Sequence, residues 1–129
     1  MSNWFSRKAA PLSGAPVIRR IKTYSAQTGY VYRYCYEGYR GLGAGDVEFV
    51  FRVFSGGEDG NPVAVRVPGA AIRAWEEAHS RQLASTERYA IAKMALFQAF
   101  DECPTPEHRL HEVNVRRADL EAILDTLGV

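Results

Sequence analysis

The chain has 129 residues, of which 47% are hydrophobic and 24% are charged, and this ordinary globular balance excludes a disordered or fibrous protein. A chain of this length forms one domain without disulfides or a metal, burying about two-thirds of its unfolded surface. No apolar run approaches the roughly 20 residues that cross a bilayer, and the amino terminus lacks the apolar core of a secretory signal. We therefore expect a cytoplasmic protein without a membrane segment and with two reduced cysteines.

The net charge of +1 hides an uneven distribution of charge along the chain. Residues 1–40 hold seven lysines and arginines against one acidic side chain, whereas the remaining 89 residues hold nine basic and fourteen acidic side chains. The basic first third is suited either to an acidic partner such as nucleic acid or to the acidic helices of its own chain. Overall neutrality favours the second alternative.

Residues 1–16 contain serine, asparagine, glycine and prolines without any periodicity, which predicts a flexible amino-terminal arm before a single domain over residues 17–129. From Val17 the hydrophobic period becomes two. Gly29 lies between two such segments and suits the end of a short hairpin loop. The predicted strands are Val17–Tyr24, Tyr30–Glu37, Val47–Phe54 and Val63–Val67, and their short polar connections predict an antiparallel meander.

The alternation along these strands predicts which face of the sheet is buried. Charged residues share one face, so this face should meet water and the other should receive the helices. The predicted inward set consists of Ile21, Tyr30, Tyr32, Tyr34, Tyr36, Val47, Phe49, Phe51, Val53, Val63, Val65 and Val67.

Three helices follow the strands. Pro68 begins the first, which runs to about His79, and Ser85 is the expected cap of the second, Thr86–Glu102. The third, Arg117–Leu127, has leucine and isoleucine at i, i+3, i+4 and i+7 spacing. A short alternating piece, Leu110–Val115, offers a fifth strand at one edge. The predicted fold is α+β, a four- or five-stranded antiparallel meander covered on one face by about three helices.

The second helix motivates the leading hypothesis about function. Between Tyr89 and Phe100 only Lys93 and Gln98 are polar, so its apolar surface wraps most of the way round. One small sheet covers only part of such a surface, and homodimerisation through a helix or a sheet edge would bury the rest. We therefore predict a non-catalytic assembly module whose partner is itself or another protein.

Two alternatives remain open. The first is nucleic-acid binding by the charged sheet face and the basic arm. The second is a pocket for a small ligand beneath the tyrosine-rich strand. The residues of the first are Arg20, Lys22, Arg33, Arg52 and Arg66, and those of the second are Tyr30, Tyr32, Tyr34 and Tyr36.

Other chemical motifs are weak. The glycines between Gly38 and Gly45 lead into a strand and are followed by no Gly-Lys-Ser/Thr, so they do not predict a phosphate loop. Cys103, His108 and His111 lack the second close ligand pair of a structural zinc site. We expect no catalytic residues, metal or cofactor.

Overall fold

A computed structural model describes residues 11–54, 59–103 and 110–129. The predicted α+β class is confirmed, because one five-stranded, mostly antiparallel sheet is combined with three helices. In chain order the elements are β1 (Lys22–Ser25), β2 (Val31–Gly43), β3 (Asp46–Phe54), β4 (Asn61–Val67), α1 (Gly69–His79), α2 (Ser85–Glu102), β5 (Glu112–Asn114) and α3 (Arg117–Leu127).

The strands lie in the order in which they occur along the chain, and β1 to β4 form the predicted antiparallel meander. The fifth strand at the edge is also confirmed, but it pairs with β4 in parallel, with Ala64 opposite Glu112. The N–H of Ala64 donates to the carbonyl of His111 at 3.0 Å. A parallel pair needs a long crossover, which α1 and α2 supply.

Pro62 lies on β4, two residues before Ala64. Residues two apart in a strand direct their N–H groups to the same side, so position 62 faces the β5 edge. The ladder with β5 starts only at Ala64, and position 62 is therefore not covered by it. Because proline has no N–H, this uncovered stretch of edge carries one donor fewer.

The first hairpin differs from the prediction in both strands. β1 is shorter than Val17–Tyr24, and β2 extends through the glycines that were expected to form a loop. Ser13 pairs with Tyr39 in an isolated bridge, so the amino-terminal segment meets the edge of β2 where a longer first strand was expected. Gly38 permits this approach, since its φ is 132° and a Cβ there would lie 2.6 Å from the carbonyl oxygen of Ser13.

The inner face of the sheet, which is the face covered by the helices, holds the predicted aromatic and valine residues. Two inward residues were wrongly predicted. Ile21 precedes β1 and is 53% exposed, whereas Tyr24 of β1 lies inward opposite Tyr32. Tyr30 precedes β2 and is 40% exposed. The difference in β1 is explained by its register with β2, which places the even-numbered residues of β1 on the inner face. The side chains that are almost fully buried are Phe51, Val63, Val65, Ile91, Leu96, Phe100, Leu120, Ile123 and Leu124.

The central helix α2 has a sheet on one side and α3 on another, as its apolar circumference requires. Phe100 stacks on Tyr32 with ring centroids 4.2 Å apart and an interplanar angle of 2°. The helix begins at Ser85, and Ala84 takes the cap position that was predicted for Ser85. Glu87 satisfies the N–H of Ala84 at 2.8 Å.

Among the residues described, no helix combines the length and the hydropathy of a membrane span.

Candidate functional site

The exposed hydrophobic side chains are concentrated around β1. Within the described residues, none of the large exposed hydrophobic side chains belongs to α1, α2 or α3. The helices thus expose less apolar surface than the segments around β1, and association through a helix stays a prediction. Five of the exposed residues lie just before β1, between the two strands of the first hairpin, or at the start of β2: Val17, Ile18, Ile21, Tyr30 and Val31.

The backbone of β1 has one free edge. The N–H of Ala26 donates to the carbonyl of Tyr30 at 2.8 Å, which makes this pair a hydrogen-bonded pair of the antiparallel ladder. Such pairs alternate along a ladder, so Tyr24 and Lys22 also direct their backbone groups towards β2. Thr23 and Ser25 therefore point their N–H and C=O groups away from the sheet.

The free edge of β1 is fixed in place by α2. The Tyr24 hydroxyl donates to the Asp101 carboxylate, with oxygen–oxygen distances of 2.8 and 3.0 Å, and the N–H of Gln27 donates to the same group at 3.0 Å. The Tyr24 ring stacks on Phe97 with centroids 4.1 Å apart. The edge is consequently presented by a well-packed hairpin.

The outer face of the sheet, opposite the helices, carries three of the five predicted nucleic-acid-binding residues, and each is engaged within the chain. Arg52 Nε donates to Glu37 at 2.9 Å, and the Arg33 guanidinium lies 5.4 Å from the ring centroid of Phe54. Arg66 contacts Glu48 at 3.2 Å and Glu112 at 3.0 Å.

The other two predicted residues lie apart from these three. Arg20 is exposed before β1. Lys22 is even-numbered and so lies on the inner side, beside Lys93 of α2; desolvation, and then the charge of Lys22, lowers the pKa of Lys93. The five residues do not form one continuous basic surface, and nucleic-acid binding stays a prediction.

The centre of the outer face is more buried than the sequence predicts. Glu48, expected to meet water, is 6% exposed and accepts from Arg40 Nη1 at 2.6 Å. Cys35 is buried opposite Arg52, and burial raises the pKa of its thiol. Long arginine side chains lie over the strands and cover them with their methylene groups. The Cys35 thiol is thus protonated at neutral pH, which disfavours a nucleophilic role.

The four tyrosines that were predicted to line a pocket have different environments. Tyr32 and Tyr34 are buried in the core, while Tyr30 precedes β2 and is 40% exposed. Tyr36 lines a cavity formed by described residues. The irregularity that follows Tyr36 shifts the alternation by one residue, so that Tyr39 joins it on the inner face opposite Phe49.

We call this space the tyrosine cavity. It has a volume of about 530 Å³ and lies between the Gly14 region, the ends of β2 and β3, and the first turn of α2. Sequence reasoning did not find Tyr39, Arg88 or Tyr89, since only the bulge and the docking of α2 bring them to Tyr36. The cavity is lined by Gly14, Tyr36, Tyr39, Val47, Phe49, Ser85, Thr86, Arg88 and Tyr89.

The possible metal ligands are only partly within the described ranges, because His108 lies outside them. Cys103 is buried at the end of α2, and His111 is exposed before β5. In residues 11–54, 59–103 and 110–129, no group of three or more His, Cys, Asp or Glu side chains is placed to hold a metal ion.

We compared the chain with protein families, with curated proteins and with solved structures, and nothing in any of the three comparisons matches it.

Proposed function

We propose that this chain is a non-catalytic assembly module that forms a homodimer through the free edge of β1. The observation that carries the proposal is the gathering of exposed hydrophobic side chains around β1, while the helices bury theirs. Exposed apolar residues beside an unpaired strand are the usual ingredients of strand-to-strand association.

The geometry of β1 suits a two-fold antiparallel pair. If Thr23 of one subunit lies opposite Ser25 of the partner subunit, both residues use the backbone groups that point away from β2. In this register Lys22 faces position 26 of the partner subunit, so no two lysines oppose each other. The two sheets then form one continuous sheet about a symmetry axis at Tyr24.

The side chains beside β1 add apolar area to this pairing. The four residues of β1 make few hydrogen bonds, and an isolated pair of short strands is only marginally stable in water. Ile18, Ile21 and Val31 are exposed by 67%, 53% and 60%, so covering them contributes a hydrophobic term. We expect a small interface and a dimer that forms with increasing concentration.

The test is Thr23→Pro, measured by native mass spectrometry and light scattering over a concentration series. Because the N–H of Thr23 points away from β2, proline removes no ladder bond of the monomer but removes a donor from the edge. We expect the wild type to dimerise and the variant to remain monomeric. Ile21→Lys should weaken the dimer without altering the backbone.

The matched control is Ala122→Lys on the exposed surface of α3. It should leave the dimer intact. Loss of the dimer in this control alone would assign association to the helices, and a wild-type monomer at millimolar concentration would refute the proposal. Thermal unfolding of all variants distinguishes loss of association from loss of the fold.

A further inference from the structure

The walls of the tyrosine cavity are aromatic. Tyr36 meets Tyr89 edge to face, with ring centroids 4.8 Å apart and an angle of 65° between the planes. Tyr39 and Phe49 form a second pair, with centroids 6.1 Å apart. A cavity of about 530 Å³ lies within the usual range for small-molecule sites. Its shape and lining suit a flat ring.

Three tyrosines line this space, Tyr36, Tyr39 and Tyr89. Burial, followed by the neighbouring Tyr89 and Tyr39, raises the pKa of Tyr36 to about 12. Burial also raises the pKa of Tyr89. At neutral pH the hydroxyls of Tyr36 and Tyr89 are therefore protonated, and each can donate a hydrogen bond as well as accept one.

At one end of the cavity, hydrogen-bond donors have fewer acceptors than they could bind. The Nε atom of Arg88 is enclosed and has no hydrogen-bond partner in the part of the chain that the structure describes. Its Nη2 lies 3.3 Å from a Glu76 oxygen that already accepts the N–H of Leu83 at 2.8 Å. Arg88 thus retains hydrogen-bonding capacity at the cavity wall.

The first turn of α2 adds to this donor-rich end. The N–H groups of Ser85 and Thr86 have no hydrogen-bond partner among residues 11–54, 59–103 and 110–129, and the cap residue Ala84 has no side chain that could accept from them. Lys93 lies one turn beyond Tyr89 on α2, beside Lys22. None of the nine lining residues is acidic.

We propose that the tyrosine cavity binds a small planar aromatic molecule that carries a carboxylate. The ring packs between the Tyr36–Tyr89 pair and the Tyr39–Phe49 pair, and the carboxylate accepts from Arg88 and from the start of α2. This site is separate from the dimer edge, since no residue between Val17 and Val31 lines it. Binding is non-covalent, and the carboxylate of the ligand shares the Arg88 guanidinium with Glu76.

The experiment is a titration of the isotope-labelled full chain with benzoate, followed by two-dimensional NMR. We expect the largest shifts at Ser85, Thr86 and Tyr89, and a benzoate affinity at least about tenfold higher than that of benzyl alcohol, which has the ring without the charge. Cyclohexanecarboxylate has the charge without the flat ring and should also bind less tightly. Inorganic phosphate tests the anion-binding end alone.

Two variants test the role of Arg88. Arg88→Gln should weaken benzoate binding by roughly tenfold or more, because a charge-assisted hydrogen bond is lost. Arg117→Gln, a charge-matched change on exposed α3, should leave the affinity unchanged. Amide spectra of both variants confirm that the chain stays folded.

Any of four outcomes would overturn the proposal. The first is no saturable binding of benzoate at millimolar concentration, and the second is shifts that map away from the tyrosine cavity. The third is equal affinity for benzoate and benzyl alcohol, which would show that the cavity ignores charge. If phosphate competes fully with benzoate and binds more tightly, the aromatic walls have no part in recognition.

Discussion

The two faces of the sheet differ in how they exclude water. The inner face is filled by aromatic and branched side chains under a layer of helices, with Phe51 and Phe100 fully buried. The outer face has no helix over it, yet Glu48 and Val50 are each only 6% exposed. Arginine side chains lie across this second face and form ion pairs with carboxylates there. One face is therefore held by apolar burial and the other by paired charges.

The largest expected effect comes from Phe100→Ala on the inner face. This substitution removes the ring that stacks on Tyr32 and leaves a cavity, and it should lower the free energy of unfolding by about 3–5 kcal/mol. Urea denaturation measures the loss. Phe54→Ala is the matched control on the outer face, where the half-buried ring faces Arg33, and it should cost about 1 kcal/mol. Equal losses would show that the two faces do not differ in packing.

A smaller effect is expected for Glu48→Gln on the outer face. Glu48 is buried between Arg40 and Arg66, whose side chains are 19% and 47% exposed, so its neutralisation removes the carboxylate charge that these two partly hydrated cations share. The expected loss is about 1–3 kcal/mol, below that of a fully buried pair. Glu112→Gln alters an exposed ion pair with Arg66 and a long, exposed hydrogen bond from Asn114 Nδ2 at 3.3 Å, and it should cost less than about 0.5 kcal/mol.

The dependence of the stability loss on salt concentration distinguishes Glu48→Gln from Glu112→Gln. Buried pairs are screened much less than exposed ones, so the cost of Glu48→Gln should persist in high salt, whereas that of Glu112→Gln should vanish. A Glu48→Gln cost that disappears in salt would mean that the outer face is solvated, as its sequence suggests.

The smallest effect concerns alkaline pH. The ordinary pKa of a tyrosine is 10.0, and burial raises the pKa of Tyr36 to about 12 in the folded chain. The unfolded chain therefore loses this proton first, so the contribution is complete below about pH 10 and is lost as the pH rises towards about 12. Because Tyr36 is only half buried, we expect this contribution to the free energy of unfolding to be about 1 kcal/mol. Tyr36→Phe should reduce the alkaline loss of stability by that amount, and an unchanged profile would contradict the assignment.

Much of the fold could be predicted because the hydrophobic periods are clear. All three helices and the meander follow from spacing alone, and α3 has the predicted bounds. The end of β2 could not be predicted, because glycines such as Gly41 resemble a loop and become strand only when they pair with β3. The inward position of Tyr24 depends on the register with β2, which the alternation within β1 does not determine.

The candidate sites could be predicted only in part. Tyr36 was expected at a pocket and borders one, but its neighbours Tyr39 and Tyr89 required knowledge of a bulge and of helix docking. The sheet edge and the helix surfaces were both considered for association, and both stay predictions; the contacts of α2 with α3 and the sheet reduce the apolar surface that the helices expose. Contacts between residues that are distant in the sequence form the cavity and determine how much apolar surface stays exposed.

The position of Pro62 has a consequence for folding in a crowded solution. β5 follows α1 and α2 in the chain, so β4 has an open edge until β5 pairs with it. The residues that follow, Val63, Val65 and Val67, have the high strand propensity that promotes pairing with another chain. Because Pro62 offers no donor, a strand from another molecule cannot continue its hydrogen bonds past this point. We expect this proline to reduce aggregation of the incompletely folded chain until β5 pairs with β4.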